Sequence, residues 1–81
     1  MGKKLYVGNL GYHVTSADLG DLFAQFGGVA SVQVIEDRDT GRSKGFAFVE
    51  MSSDQEAQAA IAGLDGKQHE GRSLTVNEAR P

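Results

Sequence analysis

Residues Lys44–Met51 read KGFAFVEM. In an extended strand alternate side chains point to opposite faces. One set is then Gly45, Ala47, Val49 and Met51, uncharged and partly small. The other is Lys44, Phe46, Phe48 and Glu50. Only the first set can face a packed core without burying unpaired charge. Two phenylalanines are therefore expected on the opposite face, beside a lysine and a glutamate.

The neighbouring segments show what each face meets. Lys4–Leu10, KLYVGNL, alternates as a strand, with Leu5 and Val7 on one side and Lys4 and Tyr6 on the other. Thr15–Phe26 predicts a helix, because Leu19, Leu22, Phe23 and Phe26 make one apolar stripe. Thr15 suits the N-cap, Asp18 the first turn, and Gly27–Gly28 the stop. Gly20 in its interior is a locally unfavourable choice. Val29–Glu36 is a second strand, with Val32 and Val34 opposed to Gln33 and Ile35. The polar turn Asp37–Ser43 leads into Lys44–Met51 as its hairpin partner. Ser53–Leu64 is a second helix with the S-x-x-E capping box of Ser53 and Glu56 and a stripe of Ala57, Ala60, Ile61 and Leu64. After a short irregular piece holding His69 and Gly71, Ser73–Glu78 is a last strand with Leu74 and Val76 inward.

The order is strand, helix, strand, strand, helix, strand. It predicts an α+β, ferredoxin-like βαββαβ fold: a four-stranded antiparallel sheet in the order 4-1-3-2, with two helices on one face. The other face has no helix to cover it. Strands one and three are neighbours in this order, so Tyr6, Phe46 and Phe48 are expected to cluster on an open sheet surface. Such clusters usually mark a binding surface. Cross-strand stabilisation of the sheet, or cover by a C-terminal tail, are the structural alternatives.

These residues resemble the RNA recognition motif family. KGFAFVEM matches the family's RNP1 octamer at seven of its eight positions, departing only at Met51. Leu5–Leu10, LYVGNL, is similar to its RNP2 hexamer, and the resemblance covers essentially the whole chain. Small single-domain bacterial (cyanobacterial) RNA-binding proteins and plant glycine-rich proteins are the most similar members. The resemblance implies that Tyr6 and Phe48 each stack a base, that Phe46 lies against the sugars between them, and that Lys44 reaches a phosphate. Lys4 shares their face. Asn9, Gln33, Asn77, Glu78 and Arg80 are candidates for base-edge hydrogen bonds, as side chains or, around Asn77–Arg80, through the backbone. Arg38 and Arg42 are candidates to clasp RNA from the loop. Because Met51 falls in the core-facing set, its departure should alter packing rather than binding.

Composition bounds these readings. The 81 residues suit one domain, taken as 1–81. The chain has no cysteine, no apolar run of membrane-spanning length and no secretory pattern at its start. A cytoplasmic, monomeric protein is expected, with nucleus or organelle the expectation for a plant-like member. The net charge of −3 speaks against a partner held mainly by phosphate electrostatics. The helical segments, however, carry Asp18, Asp21, Asp54 and Glu56 and no Lys or Arg, so the acid falls behind the sheet. His13 and His69 lack partners at metal-ligand spacing, and no nucleophile–base pair is apparent. No metal, cofactor or enzymatic activity is expected. Single-stranded RNA is the expected partner. Single-stranded DNA and a protein-docking RNA recognition motif are the alternatives.

Overall fold

The computed structural model describes residues 3–11, 13–41, 43–69 and 71–79; the side chains of Ser43 and Lys44 lie outside that description. Strand β1 (Lys4–Gly8) leads to helix α1 (Ser16–Ala24), a hairpin of β2 (Val29–Glu36) and β3 (Ser43–Met51), then helix α2 (Asp54–Leu64). A two-residue pair follows, β4 (Gln68–His69) and β5 (Arg72–Ser73), and β6 (Thr75–Glu78) ends the fold. The main sheet has the order β2-β3-β1-β6, all pairs antiparallel. With β6 as the fourth long strand, this is the expected 4-1-3-2 arrangement.

The core forms as the alternation requires. Leu5, Val7, Ala47, Val49, Met51 and Val76 on the sheet bury against Leu19 and Phe23 of α1 and Ala57, Ala60 and Leu64 of α2. Met51 is fully buried, so a thioether fills the core site where the family motif prefers a ring. Leu22, Phe26 and Ile61 pack partly buried around that core.

Both helices start on the residues that their caps dictate. Thr15 Oγ1 accepts the Asp18 N–H while Asp18 Oδ2 accepts the Thr15 N–H, each at 3.1 Å. Helix α1 therefore begins at Ser16, with Thr15 outside it as the expected cap. It ends at Ala24, and Phe26 closes the turn by donating its N–H to Phe23 C=O. At α2 the Ser53 hydroxyl accepts the Glu56 N–H and donates to Glu56 Oε1 at 2.9 Å. The other carboxylate oxygen accepts the Gly28 N–H at 2.7 Å. Glu56 thus ties the start of α2 to the link between α1 and β2.

The first and last strands also depart from expectation. β1 stops at Gly8 rather than Leu10, because Asn9 adopts a left-handed φ of 61°. Ser73–Glu78 is not one strand. Arg72–Ser73 pair with Gln68–His69, and Leu74 gives its N–H to Lys67 C=O and its C=O to the Gly66 N–H. Leu74 is thereby buried between two strands and belongs to neither.

Candidate nucleic-acid interface

Tyr6 and Phe48 are cross-strand partners on β1 and β3, and Phe46 follows on the same face. The Tyr6 ring centroid lies 5.8 Å from Phe46 and 6.1 Å from Phe48, and the two phenylalanines are 6.1 Å apart. These separations lie within the range of favourable ring pairs. All three rings are half-buried, unlike their alternates Leu5, Val7, Ala47 and Val49, which are fully buried. They form an open apolar surface in the middle of the helix-free face.

Gly8 shapes this surface, a role the sequence reading did not assign it. A Cβ built on Gly8 would meet the Tyr6 ring, 2.7 Å from its hydroxyl oxygen and 2.8 Å from Cε1. The tyrosine therefore lies along the strand over Gly8, and any larger residue there would lift it. Behind the phenylalanines, β3 bulges at Gly45: the register steps two residues on β2 from Val34 to Glu36 but four on β3 from Ala47 to Ser43. Gly45 holds a φ of +86°, and its C=O accepts the Leu10 N–H at 2.8 Å. Glycine suits that position because other residues are strained there.

Polar groups frame the rings. Lys4 Nζ lies 5.3 Å from the Phe48 centroid, a cation–π distance. Lys4 is directly opposite Glu50. On β2, Gln33 is opposite Phe48 and Ser31 opposite Glu50, and both are exposed. Asn77 is opposite Tyr6 on β6, with Thr75 opposite Gly8. The structure thus brings Lys4, Gln33 and Asn77 to the aromatic face. Glu50 lies there too, as the alternation of β3 predicts, and the structure adds Ser31 and Thr75, which alternation with Gln33 and Asn77 could have flagged.

Other expected site residues fall elsewhere. Glu78 shares the phase of buried Val76, so its side chain is on the helical side, where its carboxylate accepts from Gln58 of α2 at 2.6 Å. Its side chain is not available to a base on the open face. Asn9 is committed to the fold: its side-chain amide donates to Ser73 C=O at 2.7 Å. Arg38 is exposed in a turn organised by Asp37, whose carboxylate accepts the N–H groups of Asp39 and Thr40. The Lys44 side chain, Arg42 and Arg80 lie outside the described residues.

The acidic helices carry the structure's clear pKa perturbations. The Thr15 N–H, then the Thr15 side chain, hold the Asp18 carboxyl below its ordinary value, with small contributions from His69 and His13. The Gly28 N–H, then the Ser53 hydroxyl, do the same for Glu56. His69 lines a pocket beside α1 with Asp18, Asp21, Leu22 and Gln25. Among the described residues no group of three or more His, Cys, Asp or Glu is placed to hold a metal ion. None of their helices is long and apolar enough to cross a membrane.

The family model for the RNA recognition motif matches residues 5–75. The chain belongs to the RNA recognition motif family. This recognition motif is 56% identical over 77 residues to "Putative RNA-binding protein RbpF" of Nostoc sp., a match covering 95% of this chain and 73% of that protein. It is 50% identical over 76 residues to a chloroplast protein, RNA-binding protein CP31B of Arabidopsis thaliana, of which the match spans 26%. Among solved structures, the RNA-binding protein PG1 superposes with a TM-score of 0.93 at 49% identity, over 98% of both chains. A Sex-lethal protein–RNA complex gives 0.95 at 33% identity, covering all of this chain and 48% of that one.

Proposed function

We propose that residues 1–81 act as one module that binds single-stranded RNA, stacking one base on Tyr6 and the next on Phe48, with Phe46 against the sugars between them. The module serves post-transcriptional handling of RNA. The observation that carries this reading is the three-ring cluster on a sheet face that no helix covers. A flat, open aromatic surface suits a planar base and gives no enclosed cavity for a small substrate. Support comes from relatives and structural neighbours that carry RNA-binding names or contain RNA. Exposed Gln33 and Asn77 flank the rings and supply base-edge hydrogen bonds, while Lys44, Arg38 and Arg42 supply phosphate contacts. The backbone around Asn77–Arg80 adds hydrogen bonds at the exit of β6. With relatives in a cyanobacterium and a chloroplast, the site of action is the cytoplasm or an organelle.

NMR titration with short single-stranded RNA and DNA of the same sequence tests the reading. Signals of Lys4–Gly8, Phe46–Phe48 and Asn77–Ala79 should move, more strongly for RNA. Phe48→Ala should weaken binding by about 1–3 kcal/mol with the fold retained. Shifts centred on α1 and α2 would refute the assignment.

A further inference from the structure

Glu50 is an unfavourable neighbour for a phosphate chain, yet it stands exposed on the aromatic face, two residues from Phe48. Its direct cross-strand partner is Lys4, whose ammonium hangs over the Phe48 ring at 5.3 Å. Directly opposite residues of an antiparallel pair hold their Cβ atoms about 4.5–5.5 Å apart. The two side chains therefore leave the sheet side by side, with Lys4 turned over the ring where the second base would stack.

A base placed on Phe48 meets a pure donor and a pure acceptor next to each other. The ammonium offers three N–H donors and no acceptor; the carboxylate offers two oxygens and no donor. We infer that Lys4 and Glu50 select guanine at the Phe48 stacking position. Guanine alone presents, in sequence along its Watson–Crick edge, one carbonyl acceptor and two N–H donors. The Glu50 carboxylate receives N1–H and the exocyclic N2–H in parallel, and Lys4 donates to O6. Adenine and cytosine each present a single amino group to the carboxylate, leaving one oxygen without a base partner. Uracil presents one N–H flanked by two carbonyls, one of which would face the carboxylate. Opposite Glu50 and Phe48, Ser31 and Gln33 on β2 can each donate or accept, and so do not decide the choice. A carboxylate on this face that only paired with Lys4 would stabilise the sheet without affecting base preference.

The inference rests on base stacking at Phe48, and the experiment separates the two. Fluorescence anisotropy would measure binding of uridine-rich RNA hexamers carrying one central guanosine, inosine, adenosine, cytidine or uridine. The wild type should favour guanosine over the other standard bases by about 5- to 150-fold. Inosine, which lacks the N2 amino group, should lose several-fold. Glu50→Gln should bring the guanosine-to-inosine ratio close to one, and Lys4→Gln should reduce the guanosine preference. No guanosine preference in the wild type, or a ratio that Glu50→Gln leaves intact, overturns the inference. Phe48→Ala binding every hexamer as tightly as the wild type would overturn the stacking reading itself.

Discussion

Asn9 and Ser73, 64 residues apart in sequence, are joined by a hydrogen bond of 2.7 Å from the Asn9 amide to the Ser73 carbonyl. Asn9 also turns the chain out of β1 at positive φ. One residue thus sets where the first strand ends and holds β5 beside it. Asn9→Gly accepts the same backbone but loses the bond and loosens the unfolded chain, and should cost about 0.5–1.5 kcal/mol. Asn9→Ala adds the left-handed strain of about 1–2 kcal/mol. Urea denaturation should rank wild type above Gly above Ala. Equal stability of the two variants would show that the backbone conformation is not part of the role.

Gly20 and Gly63 should respond in opposite directions to the same added methyl. A Cβ at Gly20 meets nothing within 4 Å, whereas one at Gly63 would run into the Phe26 ring. Gly20→Ala should stabilise the domain by up to ~1 kcal/mol through helix propensity. Gly63→Ala should destabilise it by about 1–3 kcal/mol. Calorimetry of both variants checks the pair, and a stabilised Gly63→Ala would mean that Phe26 moves aside freely.

Acid should weaken the fold through the two helix caps. Asp18 and Glu56 sit below their ordinary values of 3.8 and 4.5. A depressed carboxyl contributes stability above its unfolded value and loses it as pH falls through the folded one. The melting temperature should therefore hold from neutral pH to about pH 5 and fall below about pH 4. Glu56→Gln should lower the neutral melting temperature and shrink the drop between neutral and acid pH. An undiminished drop in that variant would count against the Gly28–Glu56 link.

The Tyr6 ring lies where it does because Gly8 has no side chain. Gly8→Ala should therefore weaken RNA binding, losing much of one base's stacking energy of about 1–3 kcal/mol. In a double-mutant cycle with Tyr6→Ala the two losses should be far from additive. Additive losses would mean that Gly8 acts on RNA independently of the ring.

Salt should matter little for a domain of net charge −3. On the proposed reading, phosphate contacts from Lys44, with or without Arg38 and Arg42, would neutralise about one to three charges and give a log–log salt slope of roughly −0.7 to −2 on single strands. Phe48→Ala should weaken binding at an unchanged slope, and Lys44→Ala should flatten it by roughly 0.7. A steep wild-type slope would place the main source of affinity outside the rings.

Alternation made the fold legible in the sequence. In β3 one residue set could be buried and the other could not, and that single asymmetry put Phe46 and Phe48 on the open face. The roles of Asn9 and Glu78 were not legible. A polar residue at a strand end has the same local signature whether it meets a ligand or a distant carbonyl, and Ser73 and Gln58 reach these two only through the tertiary fold. Leu74 is inward as expected, but that it stands outside the strand was not legible, for a similar reason. Its apolar character fitted a strand, but the turn at Gly66–Lys67 takes both its backbone groups. Gly8 went unassigned because glycine reports nothing about which neighbour requires its smallness.

Between Val29 and Ser31, β2 advances two residues while β3 advances one, from Met51 to Glu50. That extra residue, Ala30, sits in the outermost strand of the sheet. A long, regular outer strand is a template on which a second chain can lay a strand of its own, the first step towards aggregation. The bulge breaks the even spacing of the free N–H and C=O groups that such templating needs. An edge interrupted in this way resists the joining of one copy's sheet to the next.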